Sequence, residues 1–115
     1  MDKDLLSIQQ VRDLLKAAKT AQAIYAEFTQ KQVDKVVEAM SMEVRKHAER
    51  LAKMANEETG FGKWQDKVIK NRFASEIVYE SIKDMKTIGI LGEKDSVMDV
   101  AVPVGVIAGL IPSTN

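Results

Sequence analysis

The sequence predicts an α-rich amino-terminal segment of three long helices, followed by β-strands that begin an α/β fold. Apolar residues recur every three to four positions from about residue 7 to residue 86, which is typical of amphipathic helices. All 17 basic and 17 acidic residues precede Val100, so the end of the chain has a different environment. The uncharged end contains a continuous apolar run, Val104–Ile111, which is typical of a strand buried on both faces of a parallel sheet.

The first helix is predicted over residues 7–28, because Ser7 followed by Gln10 fits a capping box at its start. Thr29 followed by Gln32 fits a second capping box, so a second helix is predicted from there to about residue 59. The apolar stripe of this second helix, its candidate core face, consists of Val33, Val36, Val37, Met40, Val44, Ala48, Leu51 and Ala55.

The end of the second helix is predicted at Gly60, which suits the left-handed conformation that follows many helices. On its solvent face, Glu49 and Lys53 have the spacing of a helical ion pair. A third amphipathic helix is predicted from about Lys63 to Lys86.

The helical pattern ends near Gly89. Ile88–Gly92 is interpreted as a turn-rich exit, Glu93–Ser96 as a polar loop, and the β-branched stretch Val97–Val102 as a strand. The predicted domain organisation is a helical segment over 1–92, a polar loop and oligomerisation-type strand over 93–103, and the first strand and loop of a nucleotide-binding domain over 104–115.

A strand at 104–111 has no partner in this sequence. Parallel strands need neighbours and a crossover of a dozen or more residues, whereas only Pro112–Asn115 follow. We therefore expect the chain to be the amino-terminal fragment of a longer protein.

Composition excludes several classes of function. The net charge of zero argues against a nucleic-acid partner or a polybasic membrane anchor. No apolar run has the length of a spanning helix and no secretory signal is recognisable, so we expect a cytoplasmic protein with no membrane partner. The absence of cysteine excludes a disulfide scaffold, a zinc ribbon and a thiol nucleophile within the chain. His47 is interpreted as a half-exposed surface group with no carboxylate placed to activate it, and no metal site is predicted.

Four short motifs occur in order along the chain: Asn56–Gly60, Asp66–Asn71, Phe73–Glu76 and Val104–Asn115. Together they resemble the aldehyde dehydrogenase superfamily. The Pro-Ser-Thr-Asn ending resembles the CoA-acylating branch, which includes the aldehyde half of bifunctional aldehyde–alcohol dehydrogenases. The hydrolytic branch carries Trp where this sequence has Thr114. The last motif resembles the beginning of the superfamily's nucleotide-binding domain, which implies that the helices lead into an α/β Rossmann-like aldehyde dehydrogenase fold.

The resemblance implies an oxidoreductase that converts a small aldehyde and coenzyme A to acyl-CoA with NAD or NADP as the oxidant. In that branch a cysteine thiolate attacks the aldehyde, so this chain, which has no cysteine, is expected to be inactive alone. Asn115 matches the family asparagine whose amide donates a hydrogen bond in the oxyanion hole. Val97–Val102 resembles an arm that pairs across subunits, which implies a homo-oligomer. The positions that match the cofactor site are Ile111, Pro112, Ser113 and Thr114.

Alternative interpretations stay open for several of these residues. Asn115 also suits a turn, and the hydroxyls of Ser113 and Thr114 could cap a following helix as easily as contact a ribose. Gly105 and Gly109 lie inside the apolar run and are interpreted as packing positions rather than a phosphate-binding loop. A function of another class is a non-catalytic, truncated helical module that acts through oligomer contacts.

The first helix has an alternative interpretation as a tag that directs acylating enzymes to bacterial microcompartments. Such a tag needs a flexible linker, and none separates the first two helices, so the first helix is interpreted as integral to the fold.

Overall fold

A computed structural model describes residues 2–114, and these form a series of helices followed by a β-hairpin. The prediction of an α-rich segment that leads into β-strands is confirmed. The described residues divide into two units: the residues up to Thr29 with Thr87–Gly109, and Gln30–Lys86 with the residues from Leu110 onward. The elements are α1 (Lys3–Tyr25), α2 (Gln30–Lys46), α3 (Ala48–Thr59), α4 (Trp64–Arg72), a π-helix (Phe73–Val78), α5 (Tyr79–Ile82), β1 (Gly89–Lys94) and β2 (Val97–Ala101).

Helix α1 begins four residues earlier than predicted and ends at Tyr25 rather than residue 28. Ser7 is therefore not a cap, and its hydroxyl donates to the Lys3 carbonyl at 3.0 Å inside the helix. A serine in a helix interior satisfies its hydroxyl in this way, so a pattern that fits a capping box can also lie within a helix. Asp2, with an extended backbone, occupies the N-cap position instead.

The hairpin corrects the prediction for residues 88–96. The predicted turn-rich exit and polar loop are largely strand β1, which pairs antiparallel with β2 from Gly89↔Ala101 to Lys94↔Val97 and carries a bulge between Ile90 and Gly92. The connection is the two-residue turn Asp95–Ser96, both with positive φ, 51° and 62°, as a type I′ turn requires. The residues of β1 after Gly89 are exposed, so the strand contains polar side chains as well as apolar ones. Its hydropathy pattern therefore does not distinguish it from a loop. The strand predicted over 97–102 is confirmed as β2.

The predicted strand over 104–111 is not formed, because residues 102–114 contain neither helix nor strand. A strand requires backbone partners, and the sheet of the described residues contains β1 and β2 alone. Gly105–Ile107 instead border a groove of about 530 Å³ on the carboxyl-terminal half of α1. Leu110, in the other unit, is fully exposed at 100%.

The second predicted helix is two helices. Its start directly after Thr29 agrees with the prediction, but the helix is interrupted at His47, where φ −110° and ψ 14° leave the helical range. Gly60 has the predicted left-handed conformation, φ 68°, and its N–H donates to the Asn56 carbonyl at 2.8 Å. The Glu49–Lys53 ion pair is confirmed at 2.8 Å.

The third predicted helix runs from α4 through the π-helix to α5 and ends at Ile82, four residues early. Its middle is π-helical where the Ser75 carbonyl accepts two hydrogen bonds from α2, from the Ser41 hydroxyl at 2.5 Å and from Arg45 Nε at 2.8 Å. Donors inserted from outside compete with the helix's own amide ladder, and the π-turn accommodates them.

Small residues form the packed interior of the unit that contains α2 to α5. Among the hydrophobic residues described, Ala48 and Ala52 are buried, each 1% exposed, whereas most of the predicted stripe of α2 and α3 is half-buried or exposed. Ser41 and Ser75 are also buried, and the Asn71 amide donates to the Ala48 carbonyl at 3.0 Å. We call Ser41, Ala48, Ala52 and Ser75 the small-residue seam. Over residues 2–114, no helix combines the length and apolar character that crossing a bilayer requires.

Candidate functional site

The unit that contains α2 to α5 holds a cleft of about 780 Å³, which we call the tail cleft. One wall comes from the end of α3 and the loop after it, the second from α4, and the third from the segment before Asn115. Its lining consists of Ala55, Glu58, Thr59, Phe61, Lys67, Lys70, Ile111, Pro112 and Ser113.

The first wall is fixed by side-chain bonds to the backbone of the turn at residues 59–62. The Thr59 hydroxyl donates to the Ala55 carbonyl at 2.7 Å and accepts the Phe61 N–H at 3.3 Å. The Asn56 amide donates to the Phe61 and Gly62 carbonyls at 3.1 and 2.8 Å. The motif Asn56–Gly60 thus ends α3 and fixes the direction in which the chain leaves the helix.

The second wall places two lysines on one side of α4. Lys67 and Lys70 are three residues apart and therefore lie on the same helix face. Lys67 is 6% exposed, and a Cβ built on Gly62 would lie 3.6 Å from its Cε and 3.8 Å from its Nζ, so the end of the Lys67 side chain packs beneath the turn. Lys70 is exposed.

A cation–π contact connects the start of α4 to α3, because Lys53 Nζ lies 4.5 Å from the centre of the Trp64 ring. The same ammonium pairs with Glu49, and this hydrogen bond and ion pair lower the pKa of the Glu49 carboxyl below its usual value. The Glu49–Lys53 pair lies within α3, whereas the contact of Lys53 with Trp64 joins α3 to α4 and helps to hold the second wall in place.

The predicted site residues are brought to the tail cleft in part. Ile111, Pro112 and Ser113 line it, whereas Thr114 is exposed and does not. Asn115, the predicted oxyanion-hole residue, lies outside the described residues. Ile111 is 94% exposed, so its apolar side chain is available for contact with a ligand or another part of a protein.

Sequence reasoning assigned no role to the polar residues of the other two walls. Glu58 and Thr59 belong to the first family motif, and Lys67 and Lys70 belong to the second. Membership of a family motif was the sequence signal, and the structure brings these two neighbouring motifs to the cleft that the fourth motif also borders. The third motif, Phe73–Glu76, forms the π-helix instead.

His47 does not belong to the tail cleft. Its side chain is 37% exposed, as predicted for a half-exposed group, but its Nε2 lies 3.4 Å from Glu43 Oε2. The expectation that no carboxylate is placed to activate His47 is therefore wrong, because Glu43 lies within ion-pair distance. Over residues 2–114, no cluster of three or more histidine, aspartate or glutamate side chains is placed to hold a metal ion.

The chain is similar to dehydrogenases in sequence and in backbone. It is 44% identical over 111 residues to the bifunctional aldehyde–alcohol dehydrogenase of Escherichia coli K12, covering 95% of this chain and 12% of that protein. It is 40% identical over 107 residues to the acetylating succinate-semialdehyde dehydrogenase of Clostridium kluyveri, covering 91% of this chain and 24% of that protein.

A crystal structure of a probable aldehyde dehydrogenase from Listeria monocytogenes EGD-e is 59% identical and superposes with a TM-score of 0.92, over 98% of this chain and 25% of that one. No protein-family model matches the chain. In each of these comparisons the chain spans a quarter or less of the relative's length. The matched region is the amino-terminal part of the two curated relatives.

Proposed function

We propose that this chain forms the amino-terminal segment of a CoA-acylating aldehyde dehydrogenase. Its similarity to the amino-terminal segments of such enzymes, over nearly its whole length, supports the proposal. The proposed reaction converts an aldehyde, coenzyme A and NAD or NADP to acyl-CoA, the reduced dinucleotide and a proton, in the cytoplasm. The observation that carries the proposal is the tail cleft, at which three of the four family motifs meet.

The proposed role of this chain in the chemistry is to stabilise negative charge. When a cysteine thiolate from elsewhere in the enzyme adds to the aldehyde, the carbonyl oxygen becomes an oxyanion. The Asn115 amide would donate a hydrogen bond to that oxygen, and a neutral amide suits this because it donates without titrating. Departure of hydride from the aldehyde carbon would convert this adduct to a thioester, and the cysteine thiolate would leave when the thiol of coenzyme A attacks the thioester carbonyl.

The proposed cofactor contacts fit the residues before Asn115. A bound nicotinamide dinucleotide supplies the acceptor for the hydride that leaves the aldehyde carbon. Ile111 and Pro112 offer apolar surface to a planar ring, and Ser113 and Thr114 offer hydroxyls that can donate to or accept from a ribose. All four side chains are exposed, which supports their availability for such contacts.

A homo-oligomer is part of the proposal. Both strands of the hairpin are edges, and a two-stranded sheet is marginally stable in water by itself. Val97, Met98 and Val100 of β2 are 63%, 49% and 51% exposed. An edge with this much apolar surface favours pairing with another chain, as the resemblance to an intersubunit arm implies.

Many large hydrophobic side chains of the described residues are exposed, which favours the interpretation of this chain as a segment of a larger enzyme over that of a free-standing helical module. A self-sufficient module of this size would bury large apolar side chains, whereas the buried hydrophobic residues described are two alanines. The discriminating experiment is to read the coding sequence after Asn115. A frame that continues to a cysteine, in a protein that forms acyl-CoA and NADH from acetaldehyde, supports the enzyme. A stop codon at that position supports the module.

The proposed role of Asn115 is tested in the complete enzyme by single-turnover hydride transfer. Asn115→Ala should lower kcat by ~10²–10³, the loss typical of one oxyanion donor, while cofactor affinity changes little. Asn115→Asp should be slower than Ala, because a carboxylate repels the developing charge. A thermal melt of each variant is the control for folding. Near-normal hydride transfer in a folded Asn115→Ala enzyme would refute the oxyanion role.

A further inference from the structure

We propose that the tail cleft binds the anionic group of a small ligand, a carboxylate or a phosphate, through Lys67 and Lys70. This inference goes beyond the proposed reaction, because it assigns a ligand chemistry to residues for which the family resemblance gave no role. It shares Ile111 and Ser113 with the proposed cofactor contacts, but its test measures binding to this chain without turnover, so its failure can be told apart from failure of the proposed reaction.

The neutral polar groups of the first wall are already used. The Thr59 hydroxyl bridges the Ala55 carbonyl and the Phe61 N–H, and the neighbouring Asn56 amide holds two carbonyls of the turn. A ligand that took either group would break the hydrogen bonds that hold the turn at the end of α3. Lys67 and Lys70 of α4 are the cationic side chains in the lining of these two walls.

The burial of Lys67 makes its charge the dominant one in the cleft. Because Lys67 is 6% exposed over the whole residue, its charge is less screened by water than that of exposed Glu58, which also lines the cleft. Lys67 takes part in at least one other polar or electrostatic contact, and an ammonium has three donors, so it can add a ligand contact to those it has.

The arrangement of the lysines suits an anion that enters from solvent. Buried Lys67 and exposed Lys70 both line the cleft and lie about one helical turn apart on the same face of α4, so an anionic group in the cleft can interact with both. The third wall adds the apolar side chain of Ile111 and the hydroxyl of Ser113. A small molecule with an anionic end and an apolar body matches this lining.

The test uses the 115-residue chain and backbone amide NMR. Propionate, inorganic phosphate and propionamide, which is uncharged and has the shape of propionate, are titrated separately at constant ionic strength. We expect the two anions to shift the amides of Lys67, Lys70 and Ser113 in a saturable way, and propionamide to leave them unchanged. Tighter binding of phosphate would indicate a nucleotide or coenzyme phosphate as the natural ligand, and tighter binding of propionate a carboxylate.

Variants assign the binding to the two lysines. Lys67→Met and Lys70→Met should each weaken anion binding about tenfold, the effect of one charge-assisted hydrogen bond, and Lys67→Arg should retain most of it. Lys63→Met is the matched control, because Lys63 is a lysine at the start of α4 that does not line the cleft. Glu58→Gln should tighten binding about twofold, because a like charge is removed.

Three results would overturn the proposal: saturable binding of propionamide at the affinity of propionate, equal weakening by Lys63→Met and Lys70→Met, or no saturable shift with either anion. If Lys67→Met does not fold, the exposed Lys70 variant decides between the outcomes.

Discussion

Replacing Gly60 by alanine isolates the contribution of the left-handed turn that ends α3. At φ 68° an alanine meets the unfavourable approach of its Cβ to the carbonyl, which costs about 1–2 kcal/mol. No atom lies within 4 Å of the position of the added Cβ, so no steric clash adds to this cost. Alanine also restricts the unfolded chain, which offsets about 0.4–1 kcal/mol. The expected net loss in the free energy of unfolding is therefore about 1 kcal/mol.

The loss is measured by urea unfolding followed through the fluorescence of Trp64, four residues away, and by a thermal melt, where it corresponds to about 4–8 °C. Gly92→Ala is the matched control, because its added Cβ is equally unobstructed and its φ is not in the left-handed range. Gly60→Asn should lie between wild type and alanine, since Asn tolerates the left-handed region. Equal stability of Gly60→Ala and Gly92→Ala would refute the reasoning.

Four further expectations follow from particular contacts. Ser41→Ala, which removes a buried donor to the π-helix, should lower the free energy of unfolding by about 1 kcal/mol in urea titrations, whereas a loss near zero would mean that water replaces the hydroxyl. Ser96→Gly, at φ 62°, should raise the stability of the hairpin by about 0.5–1 kcal/mol, measured by amide exchange of β1 and β2. Lys83 lowers the pKa of the Glu80 carboxyl below its usual value through a hydrogen bond and an ion pair. The pair therefore stabilises the folded chain above the usual Glu pKa, and this contribution is lost as the pH falls through the lowered pKa of the folded state. In Lys83→Ala, NMR titration should show the Glu80 pKa moved back up. Sedimentation of the chain should show species larger than a monomer, and truncation after Val102, which keeps the hairpin and removes exposed apolar residues, should reduce them; unchanged sedimentation would exclude residues 104–111 as the contact.

Local signals in the sequence predicted the features that local interactions determine. The spacing of apolar residues predicted the helical segment, and Gly60 predicted the end of α3. The spacing of Glu49 and Lys53 predicted their ion pair. Each depends on residues within one helical turn or on the conformational freedom of one glycine.

The features that the sequence did not predict depend on residues far apart in the chain. The π-helix forms where donors from Ser41 and Arg45, more than two dozen residues earlier, reach the Ser75 carbonyl. The run from Val104 to Ile111 has the composition of a buried strand, but the strands it would pair with are not among the described residues. Tertiary partners decide both cases, and hydropathy cannot show them.

The tail cleft was predicted in one wall only. Ile111, Pro112 and Ser113 were named because a family motif ends there, whereas Lys67 and Lys70 belonged to a family motif to which no role was assigned. The burial of Lys67 beneath the turn at Gly62 depends on how α3 and α4 pack, which a pattern of charges does not encode.

The π-helix between α4 and α5 also sets which insertions and deletions this region tolerates. A π-turn accommodates about one residue more than an α-turn, and each residue rotates an α-helix by about 100°. Deleting one residue from Phe73–Val78 would therefore convert the segment to an α-helix and turn α5 about its axis relative to α4. Tyr79, which packs under the Arg45 guanidinium at 5.3 Å, would face another direction, while substitutions that keep the length would preserve the phase. Related sequences should accordingly vary in residue type here far more readily than in length.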